Sequence, residues 1–405
     1  MRDFAVSVVG KLRDAGHEAL WAGGCVRDAL LGLTPKDYDV ATSATPEQVR
    51  QLFGQRNTLA VGESFGVIVV LGKSRREEQI EVATFRTDGE YSDGRRPSEV
   101  TFCSAEEDAK RRDFTINGLF YDPLADQVID YVDGKADLHR QLVRAVGKPS
   151  LRFKEDKLRM LRAVRFAATF EFALEPDTAN AVRQFAPNLS QVSIERITAE
   201  LTRMLSHTTR ASAVKLLAAV NLLPEVFPWR PHGEDLSAIL PTLEHLRAPT
   251  FEPSLSVLFR PLDSAVQVAE ECRRLRLSNK DSKCLVWLND SVTQARLAES
   301  SPLHVSKPLL SDERADLLLD VLNAEGHNNP TAQRAFDFLT QYRAETPAEV
   351  LNPAPLITGQ HLHELEITPG PQFKSILNQI RNEQLDEQLN SVNAALARVA
   401  ELSKS

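Results

Sequence analysis

The segment KDYDVAT places Asp37 and Asp39 one residue apart. In an extended strand, residues i and i+2 project to the same face, so the two carboxylates would stand side by side. Carboxylates so placed repel unless a cation lies between them, and magnesium held by oxygen ligands is the usual use of such a pair. Alone, a DxD pattern is met more often as two exposed strand-end aspartates. Glu81, in the run QIEVATF, is a candidate third acid from a neighbouring strand and equally a candidate surface residue. A dozen residues ahead lies WAGGCVRDALLG. Gly23 and Gly24 allow close backbone approach, the following helix offers free N–H groups to an anion, and Arg27 adds a guanidinium suited to phosphate oxygens. A Gly-Gly turn and a DxD pair together make the elements of a triphosphate-plus-metal site.

The elements that must position these residues are short. Leu20–Ala22 reads as a strand ending at Gly23-Gly24, Arg27–Leu31 as helix, and Asp37–Ala41, Gly66–Leu71 and Gln79–Phe85 as strands. Asp88–Pro97 (DGEYSDGRRP) reads as a Gly-rich charged loop. From about Leu151 the pattern turns helical: Leu158, Leu161, Val164 and Ala168 recur at the spacing of one long amphipathic helix. The expected fold is α+β, a head with a mixed sheet and helices over residues 1–140. An all-α neck (141–205), body (206–350) and tail (351–405) follow.

Composition sets outer bounds. The chain has 405 residues, 42% hydrophobic and 26% charged, the profile of an ordinary soluble globular protein of two to four units. No apolar run suits a membrane span, the N-terminus is too charged for a signal peptide, and cytoplasm is the expected location. Cys25, Cys103, Cys272 and Cys284 are widely spaced, which predicts reduced thiols and no zinc site. His361 and His363 read as exposed loop residues in preference to metal ligands. Net charge is −8, yet Arg140–Arg165 carries nine basic residues (Arg140, Arg144, Lys148, Arg152, Lys154, Lys157, Arg159, Arg162, Arg165) against Glu155 and Asp156. This island inside an acidic chain points to a phosphate-bearing partner.

Five segments occur in one order: GGCVRD, KDYDVAT, RRDFTINGLFYDP, EDKLRMLRAVRFA and SIERITAEL. Together they resemble the bacterial class II tRNA nucleotidyltransferase and poly(A) polymerase family, most strongly over residues 19–205. The resemblance implies that Asp37 and Asp39 are the metal-binding catalytic carboxylates with Glu81 in support, and that Gly23, Gly24 and Arg27 form the triphosphate turn. It implies further that Arg112 and Asp113 hold phosphate and ribose, that Asn117 is structural or contacts the nucleotide, and that Asp156 and Arg159 read the base with Arg162 and Arg165 supporting. Glu195 and Arg196 are expected to be structural. If Asp156 and Arg159 share a helix face at i and i+3, their chemistry suits the task. Cytosine and adenine both present an amino donor beside a ring acceptor, which an aspartate and an arginine complement, whereas uracil and guanine present the reverse.

The implied reaction is two-metal phosphoryl transfer from CTP and ATP to the 3′ end of tRNA, with Mg²⁺ as cofactor and no obligate protein partner. Addition of only the terminal A and template-free polyadenylation are the alternatives within the family. An inactive RNA-binding paralogue is the alternative outside enzymes. The Asp88–Pro97 loop argues for addition of A without separating CCA addition from A-only addition or polyadenylation, and the tail ITGQHLHELEITPGPQF resembles that of bacterial CCA-adding enzymes.

Overall fold

The computed structural model describes residues 1–62, 66–74, 78–88, 100–368 and 370–403. The loop 89–97 lies outside the described residues. The chain forms two compact units, one of Met1–Met204 with Ser212–Glu234, the other of Leu205–Ala211 with Asp235–Ser405.

The first unit opens with α1 (Arg2–Asp14), β1 (Ala19–Ala22) and α2 (Gly24–Leu30), then β2 (Asp39–Thr42), α3 (Pro46–Phe53), β3 (Thr58–Gly62), β4 (Val67–Leu71) and β5 (Gln79–Thr84). A small ribbon of β6 (Arg86–Asp88) and β7 (Val100–Phe102) leads into α4 (Ala105–Arg111), β8 (Leu119–Asp122) and β9 (Gln127–Asp130). Strands β3-β4-β5-β2-β1-β8-β9 form one mixed sheet in that order. The β2–β5 pair is parallel and sets Asp39 directly beside Glu81. The other pairs are antiparallel. Ala5, Val8, Val9 and Leu12 form the buried stripe of α1, which packs on β1 and β2. Leu20, Ala22, Ala41, Phe85 and Phe120 meet Ala105 and Ala109 of α4 in a second layer. The anticipated head fold is therefore present, with β3, β8 and β9 added to the strands legible from alternation.

After α5 (Gly134–His139), β10 (Leu142–Val143) pairs in parallel with β11 (Ala173–Leu174) around α6 (Pro149–Glu155) and α7 (Leu158–Phe170). Helices α8 (Pro176–Phe185) and α9 (Ile194–Leu205) follow. The single long helix expected from Leu151 onward is thus two helices, broken at Asp156-Lys157. Asp156 adopts extended backbone (φ −141°, ψ 107°), and its Oδ1 accepts the Leu158 N–H at 3.0 Å, so the side chain closes the start of α7.

The second unit is helical throughout its named elements. Its C-terminal part buries Ile357, Leu362, Ile376, Ile380, Ala395 and Val399 in one cluster. Among the described residues no helix is long and apolar enough to cross a membrane.

Candidate active site

A cavity of about 540 Å³ in the first unit is lined by Gly23, Gly24, Arg27, Asp37, Asp39, Arg112, Asp113, Asn117, Asp156, Arg159 and Arg162. These eleven sequence-selected residues, drawn from across more than a hundred positions, converge on one cavity. Glu81 and Arg165 are not on its wall. Glu81 sits beside Asp39 on the neighbouring strand, and Arg165 pairs with buried Glu200 (Nε–Oε2 2.5 Å) while lying over the Phe166 ring.

Asp37 precedes the strand, but the alternation persists across it: Asp37 and Asp39 are exposed while Tyr38 and Val40 are buried. The Asp39 carboxyl is pushed up to about 6, first by loss of bulk water around it, then by the neighbouring charges of Asp37 and Glu81; Arg112 opposes the shift. Burial and the two like charges thus outweigh the guanidinium nearby. Among the described residues no three His, Cys, Asp or Glu side chains converge as a metal cage. The pair fits magnesium nonetheless, because Mg²⁺ is commonly held by one or two carboxylates with substrate phosphates completing the shell.

Opposite the carboxylates lies a lattice of arginines. Gly23 takes φ +71°, a conformation L side chains rarely adopt, and its N–H donates to the Leu119 carbonyl at 3.0 Å. A Cβ there would stand 2.8 Å from Arg112 Nη1, so the glycine is what admits that guanidinium to the turn. Arg27, 8% exposed, donates from Nη1 to Asn117 Oδ1 (2.5 Å) and from Nε and Nη2 to Asp28, and it stacks over Phe166 and Phe170. Arg112 donates Nε and Nη2 to Asp108 Oδ2 (3.1 and 3.0 Å) and Nη1 to the Asn117 carbonyl (3.2 Å).

Asp113 ties the sheet unit to α7. Its Oδ2 accepts from Arg162 Nε (2.8 Å) and Nη2 (2.6 Å), and its Oδ1 from the Phe114 N–H and the Asn117 amide. Burial alone would raise its pKa, but Arg162 and these donors override burial and hold the carboxyl at about 2. The same contact raises the Arg162 pKa.

Asp156 and Arg159 share the cavity wall but are not an ion pair. Arg196 of α9 takes Asp156 through Nη1 (3.1 Å) and Nη2 (2.7 Å), while Arg159 donates to Glu155 Oε2 (2.6 Å) and to the carbonyls of Arg152 and Arg111 (3.3 Å each). The helix break replaces the i, i+3 geometry expected of them. Each residue is instead oriented by a partner of its own, which leaves Arg159 Nε–H and one Nη2–H without a partner among the described residues. Arg111, Leu158, Phe166 and Arg196 also line the cavity. None of the four is expected at the site from sequence: Arg196 is expected to be structural, although it is the only arginine in the SIERITAEL segment, and Leu158 belongs to the apolar stripe of the helix.

A mixed sheet carrying paired acids beside a basic phosphate-sized cavity is the layout of a nucleotidyl-transfer head, and comparison with known proteins agrees. The "Poly A polymerase head domain" family matches residues 19–144, and "Probable RNA and SrmB- binding site of polymerase A" matches residues 171–230. The CCA-adding enzyme of Streptococcus suis (strain 05ZYH33) is 33% identical across 97% of this chain and 94% of its own length. That of Geobacillus stearothermophilus is 45% identical over 219 residues, 54% of this chain and 53% of its own. A solved Bacillus stearothermophilus CCA-adding enzyme in complex with CTP superposes with a TM-score of 0.76 at 29% identity, covering 99% of this chain and 97% of that one. The chain belongs to the class II CCA-adding enzymes, a family of tRNA nucleotidyltransferases.

Proposed function

We propose that this enzyme adds the 3′-terminal C, C and A to tRNA from CTP and ATP, releasing pyrophosphate, with Mg²⁺ bound at Asp37 and Asp39. The observation that carries the reading is the single cavity in which that carboxylate pair faces both an arginine-lined turn and the Asp156/Arg159 wall. The relatives' name and the CTP-bound neighbour favour this over A-only addition or polyadenylation.

Magnesium bound there would acidify the attacking 3′-hydroxyl and neutralise charge on the triphosphate. Asp37 and Asp39 bind and orient it, and Glu81, adjacent in register, adds negative charge from the next strand. Gly23 and Gly24 let the turn approach the triphosphate, and Arg27 and Arg112 offer guanidiniums to its oxygens. Asp113, with Asn117, is assigned to the ribose, and Arg162 holds it in place. Asp156 accepts from the base amino group while the spare N–H groups of Arg159 donate to the ring acceptor, a pattern that cytosine and adenine satisfy and uracil and guanine do not. Arg165 supports this wall through Glu200. We assign residues 1–140 to catalysis, 141–205 to base recognition, and 206–350 and 351–405 to holding tRNA.

The test is to sequence the products formed on tRNA ending before CCA, on tRNA ending in CC, and on an unrelated oligonucleotide, with and without EDTA. Stepwise C, C, A on the first, A on the second and none on the third, all abolished by EDTA, is the expected result. Homopolymeric A on the oligonucleotide would overturn it in favour of polyadenylation, and A confined to tRNA ending in CC in favour of A-only addition.

A further inference from the structure

Phe166 lies on α7, 6% exposed, and lines the cavity among polar neighbours. Three guanidiniums stand over its ring: the Cζ atoms of Arg165, Arg27 and Arg162 are 4.1, 5.2 and 5.3 Å from the centroid. All fall within the ~6 Å over which a cation is attracted to an aromatic face. Arg162 and Arg165 belong to the same helix as Phe166. Arg27 comes from α2, and its Cζ is also 4.5 Å from the centroid of Phe170, whose ring lies 9° from parallel to that of Phe166.

The three arginines differ in what else holds them. Arg162 and Arg165 are taken by Asp113 and Glu200, carboxylates distant in sequence. The carboxylate on Arg27 is Asp28, its neighbour in the same helix, so that ion pair does nothing to fix α2 against α7. Asn117 Oδ1 accepts from Arg27 Nη1, and Asp28 accepts from Nε and Nη2. A guanidinium has five N–H groups, so one Nη1–H and one Nη2–H remain without a partner among the described residues. The contact that ties this side chain to α7 is therefore the pair of rings. A leucine would fill much of the space of Phe166 but has no negative face to offset three neighbouring cations.

We propose that Phe166 is a positioning residue for nucleotidyl transfer: with Phe170 it forms the platform that holds the Arg27 guanidinium, so that the two spare N–H groups meet the triphosphate. The proposal rests on the reading of Arg27 as a triphosphate ligand, and R27A tests that reading separately.

The experiment replaces Phe166 by phenylalanines bearing one, two and three ring fluorines, which drain charge from the ring face with little change of shape. F166L, F166Y and R27A are prepared alongside. The Kd for CTP is measured in Mg²⁺ by equilibrium dialysis, and that for cytidine by competition. R27A is expected to weaken CTP and leave cytidine nearly unchanged. The fluorine series should weaken CTP stepwise, to about tenfold with three fluorines, and cytidine by less than about twofold. F166L should match the trifluorinated ring and F166Y the wild type. If circular dichroism shows that F166L is misfolded, the fluorine series decides. CTP affinity independent of fluorine number would overturn the proposal. So would equal weakening of CTP and cytidine, the result that stacking of the base on Phe166 or a general loss of structure would give. If R27A binds CTP as the wild type does, the triphosphate reading of Arg27 fails, and the proposal with it.

Discussion

Asp37 and Asp39 line the cavity, and Asp39 is crowded by two like charges. Substituting either by Ala relieves that repulsion, so the folded state should be no less stable while the seat for magnesium is lost. Incorporation is expected to fall below a few per cent of wild type, roughly 2 kcal/mol or more of barrier, with tRNA affinity nearly unchanged in a filter-binding assay. Substantial residual rate in Mg²⁺ would sink the metal assignment. Asp156 calls for a different readout. Because Arg196, and not Arg159, holds its carboxylate, D156A and R159A should each relax discrimination against UTP and GTP by about 1–3 kcal/mol. R196A should do the same more weakly, by releasing the Asp156 side chain. An unchanged nucleotide preference with a uniformly lower rate would show that these side chains set helix position and do not read the base.

At the level of elements, what could be read from sequence followed from periodicity and failed where a side chain overrides it. Alternation placed β1, β4 and β5 within a residue or so, and it put Asp37 and Asp39 on one face even though Asp37 lies outside β2. The apolar spacing from Leu151 continued through Asp156, so it carried no sign of the break. Only the capacity of an aspartate to accept the Leu158 N–H marks the junction, and that capacity is silent in a hydrophobicity pattern. Strands β8 and β9 were hidden for a related reason: RRDFTINGLFYDP reads as a motif, and the turn at Asn117-Gly118 separates its polar half from β8. The contact that joins these elements, Asp113 with Arg162, has a measurable consequence. The folded carboxyl stands at about 2 against an ordinary value of 3.8, so its stabilisation is complete above the unfolded value and is lost as pH falls toward 2. The difference corresponds to on the order of 2 kcal/mol. Urea midpoints measured at pH 6 and pH 3 should therefore converge in D113N relative to wild type. An equal drop in both proteins would show that the pair contributes nothing to acid sensitivity.

Over the whole molecule the charge of −8 has to be reconciled with a polyanionic substrate. By count the basic island resolves the conflict, but its arginines are largely spent inside the fold. Arg144 meets Asp137 and Glu175, Arg152 and Arg159 meet Glu155, Arg162 meets Asp113, and Arg165 meets Glu200. Arg140, Lys148 and Lys154 are exposed without an ion pair among the described residues, and half-buried Lys157 donates only to the Lys154 carbonyl. Each phosphate neutralised contributes roughly 0.7–0.9 to the slope of log affinity against log salt. The triple variant K148A/K154A/K157A should thus lower the slope for tRNA by about 2–3 and weaken binding at low salt. R144A, which strands Asp137 and Glu175, should instead reduce stability and leave the slope nearly unchanged. Measuring tRNA affinity from low to moderate salt separates the two variants. A steep slope retained by the triple variant would place the phosphate contacts elsewhere in the chain.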